Sequence, residues 1–453
     1  MADIIWNKFI ESQKNEYIKY LKIFGALSGL FKDNVTGDNA KKPYLYYRNH
    51  EQLFARVFSV EDLTRKDSAF DALMVTGNER IGIGLKTWIH SKDLTYQKVA
   101  EFNKLSSDVI EPIMQNGSPE DVIRTIANLR NERILLDKRL HKTDYEVYHY
   151  ITRDDNVMNI IETSYDLIDL NTLELIEVTK KKTYTFKDCK HNYKYYKSKS
   201  VLLEEFDASK REIVEQIRIE QYSDPFELIK MININEVKPM YIKENSTNYR
   251  CLSTIQEKNI FPVIYLPLYQ DKKNGMYVSS CSGVNIRHAK SKSKGSNIPR
   301  PEYEIEVRIS KWIHHVFPGF FGINALDENE VKNAEKNDFD LILPNGRILK
   351  GRVKQQNGKS LQTNPQGALG EWILKDVLGL NNREVVTADL LQSLAIDSLK
   401  VTKIDDKHFK ITVAENGAYE KFKLENREKM LLNGLKGTQL PPFRNEYMQE
   451  IIE

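Results

Sequence analysis

The stretch from Phe70 to Trp88 constrains the chain most. Phe70-Asp71-Ala72-Leu73-Met74-Val75 and Ile81-Gly82-Ile83-Gly84-Leu85-Lys86-Thr87-Trp88 are apolar runs on either side of Gly77-Asn78-Glu79-Arg80. Gly and Asn tolerate the positive φ that tight turns need, so the pattern predicts a hairpin with strands over Ala69–Thr76 and Ile81–Ile89. Each run carries one ionisable residue. If the registers match, Asp71 and Lys86 lie on the same side of the hairpin. A carboxylate and an ammonium are each costly to bury alone, so their presence in such strands calls for a metal, a partner or a reaction.

Around the hairpin the pattern changes twice. Residues 1 to about 60 read as helical through Trp6, Phe9, Ile10, Tyr17, Tyr20, Leu21 and Phe24, and again from Glu51 to Val60, with Lys32 to Pro43 as a loop between them. After the hairpin, Leu94 to Lys104 is predicted as a helix. Asp108 to Asp137 is predicted as a helix interrupted at Gly117-Ser118-Pro119-Glu120, where Ser118 can cap and Pro119 opens the restart. Glu146 to Leu203 reads as strands and Ala208 to Gln221 as a helix. Beyond a composition shift at Lys243 to Lys258, short strands dominate: Phe261–Leu268, Met276–Ser280, Tyr303–Ile309, Phe339–Leu343, Ile348–Val353, Leu399–Ile404 and His408–Val413. Such spacing suggests a barrel or sandwich. Short helices are predicted at Gly370–Leu378 and Thr387–Leu394. The expected fold class is an α/β core, a mixed sheet flanked by helices, plus a mainly β domain. The expected domains are 1–240 and 259–453, with 241–258 as linker.

Composition narrows the function classes. At 453 residues with 40% hydrophobic and 29% charged residues, the chain fits a packed globular protein and not a disordered or fibrous one. No apolar run approaches the roughly 18 residues a bilayer span needs, and mean hydropathy is −0.53. The first residues have no signal-peptide pattern. The three cysteines, Cys189, Cys251 and Cys281, make neither a disulfide framework nor a four-cysteine zinc site, so a reducing cytosol is expected. Net charge is only +3, so the distribution of basic residues matters more than their sum.

Hydrolysis of a phosphodiester needs carboxylates for Mg²⁺, an activated water and a nearby cation. Asp71, Lys86 and the following Gln97 and Glu101 could supply these groups. This pattern resembles the PD-(D/E)XK nuclease core, in which an Asp on one strand is followed by an acidic-x-Lys triplet on the next. Here Gly84 stands where the second acid belongs. Some members of that superfamily carry the acid on the following helix. Fourteen residues separate Lys86 from Glu101, and the resemblance implies that Glu101 returns to the site and holds Mg²⁺ with Asp71. It further implies that Gln97 orients a water or phosphate and that Glu51, on the preceding helix, is an additional upstream carboxylate. A competing constellation is His90-Ser91-Lys92 with Asn103, which looks like the His-x-Lys and Asn of metal-independent phospholipase D-type nucleases.

Two segments are basic without compensating acid. Val284 to Arg300 carries Arg287, Lys290, Lys292, Lys294 and Arg300. Asn345 to Gly370 carries Arg347, Lys350, Arg352, Lys354 and Lys359 among Gln355, Gln356, Asn357, Gln362 and Asn364. Lys and Arg neutralise phosphates, while Gln, Asn and Arg can read base edges, so the mixture suits a sequence-reading surface. Leu343-Pro344-Asn345-Gly346-Arg347, Gly351 through Pro365 and Leu369-Gly370-Glu371-Trp372-Ile373-Leu374 resemble the C-terminal half of NgoFVII-type restriction endonucleases. Tyr265-Leu266-Pro267-Leu268 and Ser282-Gly283-Val284-Asn285 resemble its lead-in. That half is similar to the B-three-like pseudobarrel, which grips duplex DNA with two loop arms. The resemblance covers about residues 260 to 420. It implies DNA contacts from Arg287 to Arg300 and from Lys354 to Lys359, turn roles for Gly346 and Gly358, and core roles for Trp372, Ile373 and Leu374.

Together these resemblances imply a bacterial, cytoplasmic, type II restriction endonuclease that uses Mg²⁺ and double-stranded DNA. A second copy of the chain could be needed for a double-strand break. A methyltransferase would protect the same sequence without having to bind this protein. The alternative is a DNA-binding protein with an inactive core.

Overall fold

The computed structural model describes residues 5–31, 41–64, 68–90, 94–207, 213–222, 224–226, 261–272, 275–289, 300–327, 330, 338–354 and 358–443. The chain divides into two units, Met1–Lys138 with Thr143–Asn259, and Arg139–Lys142 with Ile260–Glu453.

The first unit opens with helices α1 (Glu11–Ala26) and α2 (Tyr47–Phe58) and strands β1 (Glu61–Asp62), β2 (Ala72–Thr76) and β3 (Glu79–Ile89). β2 and β3 pair antiparallel with Thr76 opposite Glu79, so the turn is only Gly77-Asn78, with Gly77 at φ +56°. β4 (Leu94–Glu101) leaves this sheet. Helix α3 (Pro119–His141) then leads to β5 (Tyr145–Asp154), which runs parallel to β3 from Ile81 opposite Tyr145 to Ile89 opposite Arg153. β6 (Val157–Ser164) and β11 (Ile213–Arg218) complete the order β1-β2-β3-β5-β6-β11. Parallel pairing puts a crossover over the sheet, so both faces must be covered. Leu53, Phe54, Val57 and Phe58 of α2 pack with Tyr17 and Leu21 of α1 against Ile81, Ile83 and Leu85 on one face. Leu73, Trp88, Tyr148 and Tyr150 on the other face pack with Ile134 of α3. Each large apolar side chain so buried is worth about 1.5–3 kcal/mol.

The restart at α3 follows the expected chemistry. Asp121 N–H donates to the Ser118 hydroxyl at 3.2 Å, and Ser118 N–H donates to the Asp121 carboxylate at 2.9 Å, a reciprocal cap just before the Pro119 turn. α3 also covers a second sheet, ordered β4-β10-β9-β8-β7, with β7 (Glu174–Val178), β8 (Thr183–Lys187), β9 (Asn192–Tyr196) and β10 (Val201–Asp207).

Two predicted helices are strands instead. Leu94–Glu101 is β4, paired antiparallel with β10, and the expected helix over Ala208–Gln221 contains β11, residues 208–212 lying outside the described residues. Each strand holds a bulge. Ala100 and Lys98 oppose consecutive residues Leu202 and Leu203, leaving Val99 over. Likewise Ile213 and Glu215 oppose Ile161 and Ile160, leaving Val214 over. A bulge inserts one residue and breaks the period of two by which strands are recognised.

In the second unit seven strands form one sheet in the order β12-β19-β20-β16-β17-β18-β15. They are β12 (Val263–Pro267), β15 (Val307–Arg308), β16 (Phe339–Ile342), β17 (Ile348–Lys354), β18 (Ser360–Asn364), β19 (Ile396–Lys403) and β20 (His408–Glu415). β16 and β20 are parallel and the other neighbours antiparallel. The end strands β12 and β15 touch, so the sheet is a nearly closed barrel. β13 (Gln270–Lys272) and β14 (Gly275–Tyr277) make a separate hairpin. β18 is polar at Ser360, Gln362 and Asn364 and has no counterpart among the predicted strands, while the predicted strand over Tyr303–Ile309 shrinks to β15. Thr387 caps a short helix at Ala388–Ser393. Trp372, Ile373 and Leu374 are core, and Gly346 and Gly358 adopt φ +80° and +63°.

Candidate functional site

Asp71 precedes β2, and its backbone is fixed on both sides: its N–H donates to Ile83 O at 2.9 Å, and its carbonyl accepts from Leu63 N–H at 2.9 Å. Its carboxylate accepts the Leu85 N–H at 2.6 Å, and the Lys86 ammonium lies 4.0 Å from the same oxygen. Both side chains are one quarter exposed. The hairpin register therefore does bring Asp71 and Lys86 together. Glu51 joins them from α2. Burial first, and then the charge of Asp71, push its carboxyl up to about 7, against the opposing pull of Lys86. Asp62 adds to the push, with its own carboxylate held by the Thr64 N–H and hydroxyl at 2.9 and 2.6 Å. Thus α2, the residue leading into β2, and β3 contribute one group each to a cluster of two carboxylates and an ammonium.

The missing acid of the sequence motif at Gly84 has a steric reason. A Cβ there would come within 2.7 Å of the rings of Tyr148 and Tyr165, which stack at 4.0 Å. The Tyr165 hydroxyl donates to Ala69 O at 2.9 Å, two residues before Asp71. Aromatic rings occupy the space in which a side chain at position 84 would lie.

Glu101 and Gln97 do not take the expected places. Glu101 ends β4 in the second sheet, is exposed, and pairs with Lys98 at 2.9 Å, while Gln97 stands opposite Glu204 in the strand ladder. Because Leu94–Glu101 is a strand, the expectation that Glu101 completes the site from a helix is corrected, and with it the helical placing of Gln97. His90 follows β3, where its N–H donates to Arg153 O at 2.8 Å and its carbonyl accepts from Lys42 at 3.2 Å. Lys92 lies outside the described residues, and Asn103 opens a short helix at φ +40°.

Among the described residues no group of three or more His, Cys, Asp and Glu is arranged around a metal position. Mg²⁺ is commonly held by one or two carboxylates, with water and substrate phosphate completing its shell. Glu51 and Asp71 fit that demand, because two like charges share a partly desolvated site that a cation would relieve.

The basic residues of the second unit sort by environment. Arg287 is 2% exposed, and its guanidinium donates to Val284 O at 2.6 Å and to Glu384 O. It is an internal clamp, so its expected DNA contact is corrected: charge in a sequence does not distinguish an exposed guanidinium from one capping buried carbonyls. Arg300 pairs with Glu304 at 2.7 Å. Arg352 makes a two-pronged pair with Asp338, one contact at 2.8 Å, and stands opposite the half-buried Gln362 on β18. Lys359 is exposed where β18 begins. The Lys354 side chain, Gln355, Gln356, Lys290, Lys292 and Lys294 lie outside the described residues.

Residues 264–405 match the family described as the NgoFVII C-terminal B3-like DNA-binding domain. The match lies within the second unit and spans most of its barrel. No curated protein matches the chain significantly.

Proposed function

We propose that the chain is a site-specific DNA endonuclease in which the barrel of the second unit reads duplex DNA and the first unit hydrolyses a phosphodiester. The match of residues 264–405 to a DNA-binding family supports the first half. The observation that carries the second is the convergence of Glu51, Asp71 and Lys86 from three elements. The order helix, three antiparallel strands, helix and parallel strand (α2, β1, β2, β3, α3, β5), with β4 and short helical turns inserted between β3 and α3 and β4 lying in the other sheet, supports the PD-(D/E)XK reading.

Asp71 and Glu51 would hold Mg²⁺, with Glu51 taking the part that the sequence pattern gives to Glu101. Mg²⁺ bound there supplies an activated water and a counter-charge for the scissile phosphate. The Leu85 N–H orients the Asp71 carboxylate, which would serve as a ligand to the ion. Lys86 places a positive charge beside the same carboxylate, where it can orient the attacking water and offset charge growing on the phosphate. One observation favours a second reading, a DNA-binding protein with an inert core: the tyrosine rings that fill the space at Gly84.

Digestion of phage DNA with Mg²⁺ or with EDTA tests the proposal. Cleavage is expected only with Mg²⁺. Asp71→Ala, Lys86→Ala and Glu51→Gln should each lower it by about 10²-fold or more, the usual cost of removing a placed charge, with duplex binding intact. Glu101→Gln should cleave normally. Cleavage in EDTA, or loss in Glu101→Gln with none in Glu51→Gln, would reject this arrangement.

A further inference from the structure

Between Lys180 and Lys199 the chain holds eight lysines, Lys180, Lys181, Lys182, Lys187, Lys190, Lys194, Lys197 and Lys199, and one acid, Asp188. That acid is buried and spent on backbone, accepting the N–H groups of Asp169, Lys190 and His191 at 2.9, 2.8 and 2.7 Å. The segment forms β8 and β9 with their flanking turns. β7, β8, β9 and β10 are successive antiparallel neighbours, so the β7–β8 and β9–β10 turns lie at one end of the sheet and the β8–β9 turn at the other. The first turn presents Lys180, Lys181 and Lys182, closed by a Lys182 N–H to Thr179 O bond of 3.0 Å. The second presents Lys197 and Lys199, closed by a Ser200 N–H to Lys197 O bond of 3.1 Å. Two strand spacings, about 10 Å, separate the turns.

The two ends differ in how their charge is used. At the far end Lys187 pairs with Glu174 at 3.1 Å and Lys190 with Asp166 at 2.8 Å. At the near end Lys197 reaches Glu111 at 3.6 Å, but Lys180, Lys181, Lys182 and Lys199 are exposed and have no ion-pair partner among the described residues. The nearby acids are Glu101, engaged by Lys98, and the exposed Glu177 on β7. Like charges gathered within about a Debye length, roughly 8 Å at physiological salt, repel one another unless a polyanion answers them. Duplex DNA, with a charge about every 1.7 Å along its axis, meets two lysine turns at this spacing without any base being read.

We propose that this end of the second sheet is a phosphate-binding surface by which the first unit holds duplex DNA independently of sequence. The proposal rests on DNA being the ligand, as above, and not on cleavage. The test uses the full chain in EDTA with a fluorescent duplex of arbitrary sequence, its affinity followed against salt. Combined Lys180→Gln, Lys181→Gln, Lys182→Gln and Lys199→Gln should lower the slope of log K against log salt by about 0.9 for each phosphate no longer neutralised, with preference among sequences unchanged. Combined Lys187→Gln and Lys190→Gln, at the far end, should leave the slope as it was. An unchanged slope in the first variant, or an equal fall in the second, overturns the surface. So does loss of binding to anionic phospholipid vesicles with duplex binding intact. A wild-type protein with no sequence preference, whose slope still falls in the first variant, would instead defeat the reader assigned to the second unit.

Discussion

At the scale of single residues, Asp166 and His191 of the first unit form a pair whose protonation contributes to stability. Asp166 accepts from His191 at 3.4 Å, Lys190 at 2.8 Å and the Ser164 hydroxyl at 2.6 Å, and these bonds, His191's foremost, hold its carboxyl well below the usual range. Burial would lower the His191 pKa, but the Asp166 bond and the Glu204 charge hold it above its ordinary value. A depressed carboxyl stabilises the fold above its unfolded value, near 4, and loses that contribution as pH falls through the folded value. A raised histidine stabilises below about 6.5 and loses its share as pH rises past its folded value. Both shares are therefore full between about pH 4 and 6.5. Asp166→Asn should cost on the order of 1 kcal/mol near pH 5.5, less at pH 3 and less again at pH 8.5. Urea midpoints at the three values check this, and a constant difference would contradict it.

At the scale of elements, β2 and β3 present a site whose motif cannot be completed by substitution. Gly84→Glu restores the acidic-x-Lys triplet, yet its Cβ would sit 2.7 Å from two buried, stacked aromatic rings. Overpacking of this kind costs typically about 1–3 kcal/mol, so the variant should melt earlier and cleave no faster than wild type. Faster cleavage with an unchanged melting temperature would mean that the rings yield. The same hairpin explains what is legible in the sequence. Turn chemistry and the period of two are local, as is the cap at Ser118, and all three can be read from neighbouring residues. The bulges at Val99 and Val214 are set by partner strands far along the chain, and each slips the alternation enough to make a strand resemble a helix. The slipped alternation over β4 is what lends Glu101 and Gln97 helical places that the strand does not give them. Glu51 stands out by its place before the hairpin, but its closeness to Asp71 depends on the packing of α2 on the sheet. Charge counting finds the acid-free runs beyond Val284 and passes over Lys180 to Lys199, where neighbouring glutamates on β7 and β10 mask the excess.

At the scale of the whole molecule, the part of the second unit beyond residue 258 carries its own sheet and its own core. Its seven sheet strands run from Val263 to Glu415 and, among the described residues, pair only with one another, so these ladder hydrogen bonds close within residues 258–453. Its core is supplied from the same span, with Ile264, Leu266, Leu341, Leu361, Leu399, Val401 and Phe409 all buried. A fragment of residues 258–453 should therefore fold and bind a specific duplex, and should cleave nothing in Mg²⁺. Within it, residue environment separates two outcomes that sequence alone merges. Lys359 is exposed, so Lys359→Ala should keep the fold and lower the salt slope by about 0.9 if it contacts a phosphate. Arg287 is buried on two carbonyls, so Arg287→Ala should destabilise by about 1–3 kcal/mol, the cost of leaving buried polar groups unsatisfied, and should weaken binding only as folding is lost. Arg352 and Arg300 lie between these cases, because each must leave Asp338 or Glu304 before it can meet a phosphate. Urea unfolding and duplex titrations of the fragment measure both quantities. A fragment that fails to fold, or that binds every duplex equally, would mean that recognition requires residues before 258.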